Sequence, residues 1–123
     1  MQERCGVFKI IEYKDEDSKY AADIALQARL YVSGWQLSGD LVRIRKGSAK
    51  AQVALAYDPS GAPVGVSVRE GNWLNVFVRK SHRRHGVGTL LVKALKNEHI
   101  RAGYGVVGSL SFWDKVGVGV SSV

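Results

Sequence analysis

A basic stretch with two glycines, residues 83–89 (Arg-Arg-His-Gly-Val-Gly-Thr), contains residue types that bind phosphate groups. Glycines let a backbone approach an anion closely, and the first N–H groups of a helix have no partner within that helix. The positive end of the helix dipole attracts the same anion, and Arg83 and Arg84 add full charges. We therefore predict a phosphate-binding turn, provided that a strand enters it and a helix leaves it.

Both flanking segments have the required pattern. Residues 73–78 form a short apolar run rich in aromatic and β-branched side chains, which is typical of a buried strand. The turn lacks the Gly-Lys-Ser/Thr sequence of a Walker loop and the first glycine of a Rossmann fingerprint. Beyond it, apolar residues at helical spacing predict an amphipathic helix: Val87, Leu90, Leu91, Ala94 and Leu95.

The remaining patterns predict an α/β (α+β) domain. Residues 7–13 alternate and indicate a first strand, and an apolar stripe from residue 21 to residue 32 indicates a helix that Gly34 ends. Residues 35–50 fit either a short strand or a second helix. Strands at 53–57, 64–69 and 73–78, separated by turn residues, should form an antiparallel meander.

Beyond the basic turn, the helix should fade by Ile100 and end at Gly103. Residues 105–107 predict only a stub of strand, and residues 110–116 predict a last helical segment that Gly117 ends.

The spacing Arg83-x-x-Gly86-x-Gly88 after a strand resembles the acyl-CoA pyrophosphate motif of the GNAT (Gcn5-related) N-acetyltransferase family. Residues 112–118 (Phe-Trp-Asp-Lys-Val-Gly-Val) are similar to the family's Phe-Tyr-x-Lys-x-Gly-Phe segment. With the meander, the resemblance covers residues 51–118. It implies a small, mixed, mostly antiparallel sheet flanked by helices, with a shortened C-terminal part.

The resemblance also implies an activity, the transfer of an acetyl group from acetyl-CoA, as co-substrate, to a primary amine that attacks the thioester directly. Backbone groups of Phe77 and Val78 would pair with the pantetheine arm, and amides from Arg84 to Thr89 would bind the pyrophosphate. A backbone N–H would stabilise the oxyanion of the tetrahedral intermediate. No metal is implied, and the implied cofactor-binding residues are Phe77, Val78, Arg83, Arg84, His85, Gly86, Val87, Gly88 and Thr89.

Three departures from the family pattern concern activity. Trp113 stands where the family has a tyrosine that can protonate the thiolate, and an indole cannot act as a general acid, so Tyr104 or no acid at all would serve. The strand at 105–107 is short. Only six residues follow Gly117, so the acceptor-side wall would be open, absent or supplied by a second copy in a homodimer.

Glu70 is the predicted catalytic base, because it is the acid nearest to the place where some family members carry a carboxylate and this chain has Asn72. The alternative is a solvated residue at a strand end. His82 and His85 flank two arginines whose charge opposes zinc binding. We interpret His82 as a surface histidine, with a role as the base as the alternative.

Composition bounds the remaining alternatives. The 123 residues are 46% hydrophobic and 24% charged, which predicts a single domain over 1–123. With one cysteine, Cys5, no apolar leader and no apolar run of membrane-spanning length, we expect a cytoplasmic protein without membrane association.

A net charge of +7 favours acidic partners, so we expect an amine acceptor on an acidic carrier, either a protein or a nucleic acid. The alternative function is a non-catalytic basic module that binds nucleic acid or another partner, with Trp35 or Trp73 stacking on bases. The strand pattern places Trp73 in the core, which argues against this alternative.

Overall fold

The computed structural model describes residues 8–31, 36–83, 86–95, 101–102 and 119–120 of the chain. A 3₁₀ turn, Lys80–His82, precedes the third helix. The elements follow the order β1 (Lys9–Tyr13), α1 (Glu16–Gln27), α2 (Gln36–Arg45), β2 (Gln52–Tyr57), β3 (Pro63–Glu70), β4 (Trp73–Val78), α3 (Val87–Leu95), β5 (Arg101–Ala102) and β6 (Gly119–Val120).

The six strands form one sheet in the order β1-β2-β3-β4-β5-β6. The first four pair antiparallel, which confirms the predicted meander. β4 then pairs in parallel with β5, and β5 in parallel with β6. The predicted fold class, a mixed and mostly antiparallel sheet flanked by helices, is confirmed.

Helices cover both faces of this sheet, so the inner strands are buried on both sides. α1 and α2 pack on one face over a cluster that includes Val53, Leu55, Val66 and Val68. α3 packs on the opposite face, against residues of β2, β3 and β4: Ala54, Ala56, Val64, Leu74 and Val78. This double cover explains why β2 and β3 read as nearly continuous apolar segments.

The first helix ends earlier than predicted, at Gln27 rather than near Gly34. Arg29 takes the left-handed conformation with φ 58°. Its N–H donates to the Leu26 carbonyl at 3.1 Å, and the Leu30 N–H donates to the Ala25 carbonyl at 2.8 Å. These two bonds form a Schellman end, and the buried Leu30 supplies its apolar contact. The prediction was wrong because an arginine, not a glycine, occupies the left-handed position.

The segment 35–50, which the sequence left open, contains a helix. Leu37, Leu41 and Ile44 lie on its buried side. Gly47, with φ +80°, donates to the Ile44 carbonyl at 2.9 Å and so ends the helix.

The prediction that the third helix runs on to Gly103 was wrong, because Arg101 and Ala102 already form β5 beside β4. The residues between Leu95 and Arg101, the strand stub at 105–107 and the helical segment at 110–116 lie outside the described residues. None of the described helices is long and apolar enough to cross a membrane.

Candidate functional site

The glycine turn joins the end of β4 to the first turn of α3. Gly86 has φ +81°, a conformation that residues with a side chain adopt only at a cost. A Cβ added there would meet nothing within 4 Å, so conformation rather than space requires the glycine. The first helical bond runs from the Leu90 N–H to the Gly86 carbonyl, at 3.1 Å. The N–H groups of residues 87–89 therefore have no partner within the helix and lie at its positive end.

Arg79 fixes the start of this turn to the body of the fold. Its Nη2 donates to the Ala28 carbonyl at 2.7 Å, and its Nε donates to the Pro63 carbonyl at 3.3 Å. Ala28 caps α1, where the last carbonyls have no helical partner. Arg79 therefore gives a carbonyl at the end of α1 its hydrogen-bond donor, and the same contact holds the turn in place.

His82 adds a second, weaker tether. Its Nε2 lies 3.8 Å from Oδ2 of Asp58 in the β2–β3 turn, and its Nδ1 lies 2.9 Å from the Ser81 hydroxyl. Hydrogen bonds from the Ser60 hydroxyl and the Ala62 N–H hold the pKa of Asp58 below its ordinary value. A charged Asp58 thus faces the histidine.

Arg83 folds back over the end of β4. Its Nε donates to the Val78 carbonyl at 2.8 Å, and its guanidinium carbon lies 5.6 Å from the centroid of the Phe77 ring. Arg83 thus covers the strand end that enters the turn. The other two predicted residues of the turn, Arg84 and His85, lie outside the described residues.

The backbone of β4 presents alternate residues to its two edges. The Arg79 N–H donates to the Val64 carbonyl at 2.9 Å, which makes Gly65 and Val78 a non-hydrogen-bonded pair. The N–H and carbonyl of Val78 therefore point away from β3, as do those of Val76, whereas those of Phe77 point toward β3. In the described part of the chain, β5 pairs only with residues 73 and 74 of this edge. Val76 and Val78 are beyond that pairing.

The predicted base, Glu70, is one end of a chain of polar contacts that runs from β3 over α2 to β4. Arg43 donates from Nη2 to Glu70 Oε1 at 3.0 Å and from Nη1 to Oε2 at 3.2 Å. The same Nη2 also donates to Oδ1 of Asp40. Asn75 completes the chain, because its Nδ2 donates to Asp40 Oδ2 at 3.3 Å. We name these four residues, Asp40, Arg43, Glu70 and Asn75, the α2 network.

One cation serves two carboxylates in this network. The Asp40 side chain is only 4% exposed, and its burial raises its pKa, an effect that the hydrogen bond from Arg43 opposes and the nearby Glu70 charge reinforces. Hydrogen bonds to Glu70 and Asp40 raise the pKa of Arg43, which stays charged. Glu70 is 25% exposed and is the more accessible of the two acids.

Trp73 corrects a prediction, because it lies at the surface and not in the core, with 47% of the residue exposed. It is the first residue of β4 and pairs directly with Glu70 at the last position of β3. Directly paired residues project from the same face of a sheet, and Asn75, two residues on, shares that face. The indole therefore stands beside the α2 network at the end of the sheet.

Sequence reasoning did not find Asp40, Arg43 or Asn75. The i, i+3 spacing of Asp40 and Arg43 was a usable signal only once the segment was known to be helical. Among the described residues, no group of three or more His, Cys, Asp or Glu side chains is placed to hold a metal ion. Tyr104 and Trp113 lie outside the described residues.

The comparison with known families identifies the class of protein. The model of the Acetyltransferase (GNAT) family matches residues 12–116, most of the chain. The chain belongs to this family, its chemistry is acyl transfer, and its enzyme class is N-acetyltransferase. The resemblance predicted from the sequence is confirmed. No curated protein matches the chain.

Solved structures agree on the fold. The aminoglycoside N-acetyltransferase AAC(6')-Iy, bound to the bisubstrate analogue CoA-S-monomethyl-acetylneamine, is 13% identical, with TM-score 0.62 over 94% of this chain and 93% of that one. AAC(6')-Ih from Acinetobacter baumannii is 14% identical, with TM-score 0.59 over 94% of each chain. The xEco2 acetyltransferase domain, bound to a CoA conjugate, is 16% identical, with TM-score 0.61 over 94% and 93%. At these identities the likeness is one of fold.

Proposed function

We propose that the chain transfers an acetyl group from acetyl-CoA to a primary amine. The first turn of α3 carries this proposal, because it offers three N–H groups without helical partners immediately after Gly86, at the end of β4. A pyrophosphate satisfies such groups and is attracted by the helix dipole. Similar structures that contain CoA or a CoA conjugate support the choice of donor.

In this proposal the pyrophosphate binds the amides of Gly86, Val87, Gly88 and Thr89, with Arg84 and His85 completing the turn. The pantetheine arm lies along the edge of β4 beyond its pairing with β5. Because the backbone groups of Phe77 point toward β3, we assign the arm's hydrogen-bonding partners to Val76 and Val78. Phe77 lies between these two residues and makes no backbone hydrogen bond to the arm.

The reaction forms one bond and breaks one. The acceptor nitrogen attacks the thioester carbonyl carbon, and the resulting oxyanion is stabilised by a backbone N–H of the β4 edge. When the intermediate collapses, the C–S bond breaks and its electron pair goes to sulfur. The nitrogen loses a proton to a base and the thiolate gains one, which leaves an amide and free CoA.

We retain Glu70 as the proposed base for the nitrogen's proton. Each carboxylate oxygen has two lone pairs, and Arg43 occupies one on each oxygen, so each still has an accepting site. Glu70 faces the same side of the sheet as Trp73, which gives the acceptor an apolar surface next to the base. Asp40 is too covered to meet an acceptor directly, since its side chain is 4% exposed.

A thermal-shift experiment tests the proposal. A ligand that binds only the folded state adds about 2.7 kcal/mol at a hundredfold excess over its Kd, which is roughly 10 °C in Tm for a domain of this size. We expect acetyl-CoA to raise Tm by this amount, and ATP and NAD to raise it much less. Equal shifts with all three nucleotides would reduce the turn to a general anion site.

The exposure of Trp73 favours a second candidate function, the binding of single-stranded nucleic acid by base stacking. The neighbouring Glu70 opposes it, because a carboxylate repels the phosphates that accompany a stacked base. A short oligonucleotide as a further ligand in the thermal-shift series separates the two. A larger shift with the oligonucleotide than with acetyl-CoA would favour this second function.

A further inference from the structure

We infer that Arg83 makes the donor site selective for thioesters that carry phosphate, because its side chain closes the β4 edge until a phosphate draws it away. The inference rests on the proposed function, since it concerns the same donor site. It assigns Arg83 a role as a specificity-determining residue, distinct from simple attraction of an anion.

The first observation is where the Arg83 side chain lies. Its Nε bonds the Val78 carbonyl at 2.8 Å, and this carbonyl points to the edge on which the arm would lie. Its guanidinium lies over the Phe77 ring, 5.6 Å from the centroid. An arm that pairs with Val78 needs the same carbonyl and the same space. Arg83 and the arm therefore compete for one position.

The second observation is that the side chain can leave without disturbing the fold. Arg79 anchors the turn through Ala28 and Pro63, and the Arg83 N–H bonds the Lys80 carbonyl at 3.3 Å. These contacts hold the backbone independently of the Arg83 guanidinium, which lies at the surface. Opening the edge thus requires only a rotation of one side chain.

The third step is the relative strength of the two contacts. On the protein, the guanidinium makes one hydrogen bond to a neutral carbonyl and an aromatic contact. A phosphate offers two parallel charge-assisted bonds, which are shorter and stronger. Arg83 precedes Gly86 by three residues in the sequence, and the inference requires its long side chain to reach a phosphate on the α3 amides.

Two classes of donor are then treated differently. Acetyl-CoA brings the phosphate that moves Arg83, so its arm meets an open edge. A phosphate-free thioester such as S-acetyl-pantetheine must displace Arg83 without a compensating contact. Its apparent affinity is its intrinsic affinity multiplied by the fraction of protein in which the edge is open.

Calorimetric binding of acetyl-CoA and S-acetyl-pantetheine to the wild type and to Arg83→Ala tests this assignment. We expect the substitution to lower the affinity for acetyl-CoA by about tenfold, because a bidentate phosphate contact is lost. The same substitution should raise the affinity for S-acetyl-pantetheine by about threefold or more, because the edge is now always open. Opposite signs for the two ligands are the signature of competition.

Lys80→Ala is the matched control, since it removes one positive charge from the same turn. The Lys80 side chain makes no ion pair with any described residue. The Lys80→Ala substitution should lower the affinity for acetyl-CoA slightly and leave the affinity for S-acetyl-pantetheine unchanged. A parallel loss for both ligands in Arg83→Ala, or an unchanged affinity for S-acetyl-pantetheine, would overturn the inference while leaving the proposed function intact.

A second measurement needs no variant. Inorganic pyrophosphate should raise the affinity of the wild type for S-acetyl-pantetheine, because it draws Arg83 off the edge, and linkage requires the reverse effect as well. Independent or mutually weakening binding of the two probes contradicts the inference. Failure of the wild type to bind acetyl-CoA would instead overturn the proposed function, and the inference with it.

Discussion

At the scale of single residues, one guanidinium compensates both carboxylates of the α2 network. Arg43 bonds both Asp40 and Glu70, and Asp40 has almost no access to water. A buried carboxylate without its cation is costly, because the remaining charge is no longer compensated. Arg43 is therefore a structural requirement of the α2 network as well as a partner of the proposed base.

Arg43→Met should lower the free energy of unfolding by about 2 kcal/mol at neutral pH. The loss should be smaller at mildly acidic pH, because Asp40, whose pKa is raised by burial, takes up a proton as the pH falls and its charge no longer needs Arg43. The sign follows from linkage. A carboxyl whose pKa is raised in the folded state binds more protons there, so stability falls as pH rises through the window above 3.8, the ordinary value. Urea unfolding at both pH values measures this.

Arg45→Met in the same helix is the control for that substitution. Arg45 lies 3.8 Å from Asp23, and both side chains are substantially exposed, so the pair should contribute less than about 1 kcal/mol. One contradicting result is that the two variants lose equal free energy of unfolding, and another is that the loss for Arg43→Met does not change with pH. Either result would show that Arg43 does not stabilise the buried charge of Asp40.

At the scale of elements, α3 fits the sheet because Gly65 leaves room for it. A Cβ at Gly65 would come within 2.8 Å of Leu91 Cδ1 and 3.2 Å of the Phe77 carbonyl oxygen. Leu91 is fully buried and the carbonyl belongs to the neighbouring strand, so neither atom can move away freely. The packing of α3 on β3 thus positions the glycine turn that precedes the helix.

Gly65→Ala should destabilise the protein by about 1–3 kcal/mol, the cost of overpacking a core. Gly39→Ala is the matched control with the opposite sign. Gly39 lies inside α2, and its added Cβ would meet nothing within 4 Å, so alanine should stabilise the helix by up to about 1 kcal/mol. Chemical denaturation measures the free energy of unfolding of both variants and so tests both signs. A neutral or stabilising Gly65→Ala would contradict the close packing of α3.

The elements also show which parts of the fold the sequence could predict. β2, β3, β4 and the start of α3 have strong local patterns, and the structure places them as predicted. α2 was ambiguous because its Leu41–Arg45 stretch alternates like a strand while Leu37, Leu41 and Ile44 recur like a helix. The end of α1 was mispredicted, since nothing in a sequence announces an arginine in the left-handed conformation.

The same distinction applies to the site. The glycine turn is a local signal, contained in a few consecutive residues between one strand and one helix, and it could be predicted. The α2 network joins positions 40, 43, 70 and 75 on three elements, and only the folded chain brings them together. Trp73 was misplaced because a strand pattern does not tell how far the covering helices extend over the end of the sheet.

At the scale of the whole molecule, β4 connects the two halves of the proposed site. Its carboxyl end leads to the phosphate turn, and its first residues, Trp73 and Asn75, lie with the α2 network. At about 3.3 Å per residue, Val78 and Asn75 are roughly 10 Å apart along the strand. An arm that pairs with the intervening edge can therefore bring a thioester from the phosphate turn to the acceptor side.

Amide chemical shifts on addition of acetyl-CoA test the central claim most directly, because the claim names the N–H groups that bind the donor. In a ¹H–¹⁵N titration, we expect the largest changes at Val87, Gly88 and Thr89, with further changes at Val76 and Val78 along the β4 edge. Gly71, in the turn at the other end of β4, should be nearly unaffected. Saturable binding that leaves residues 86–89 unshifted, and shifts a different surface instead, would contradict the account.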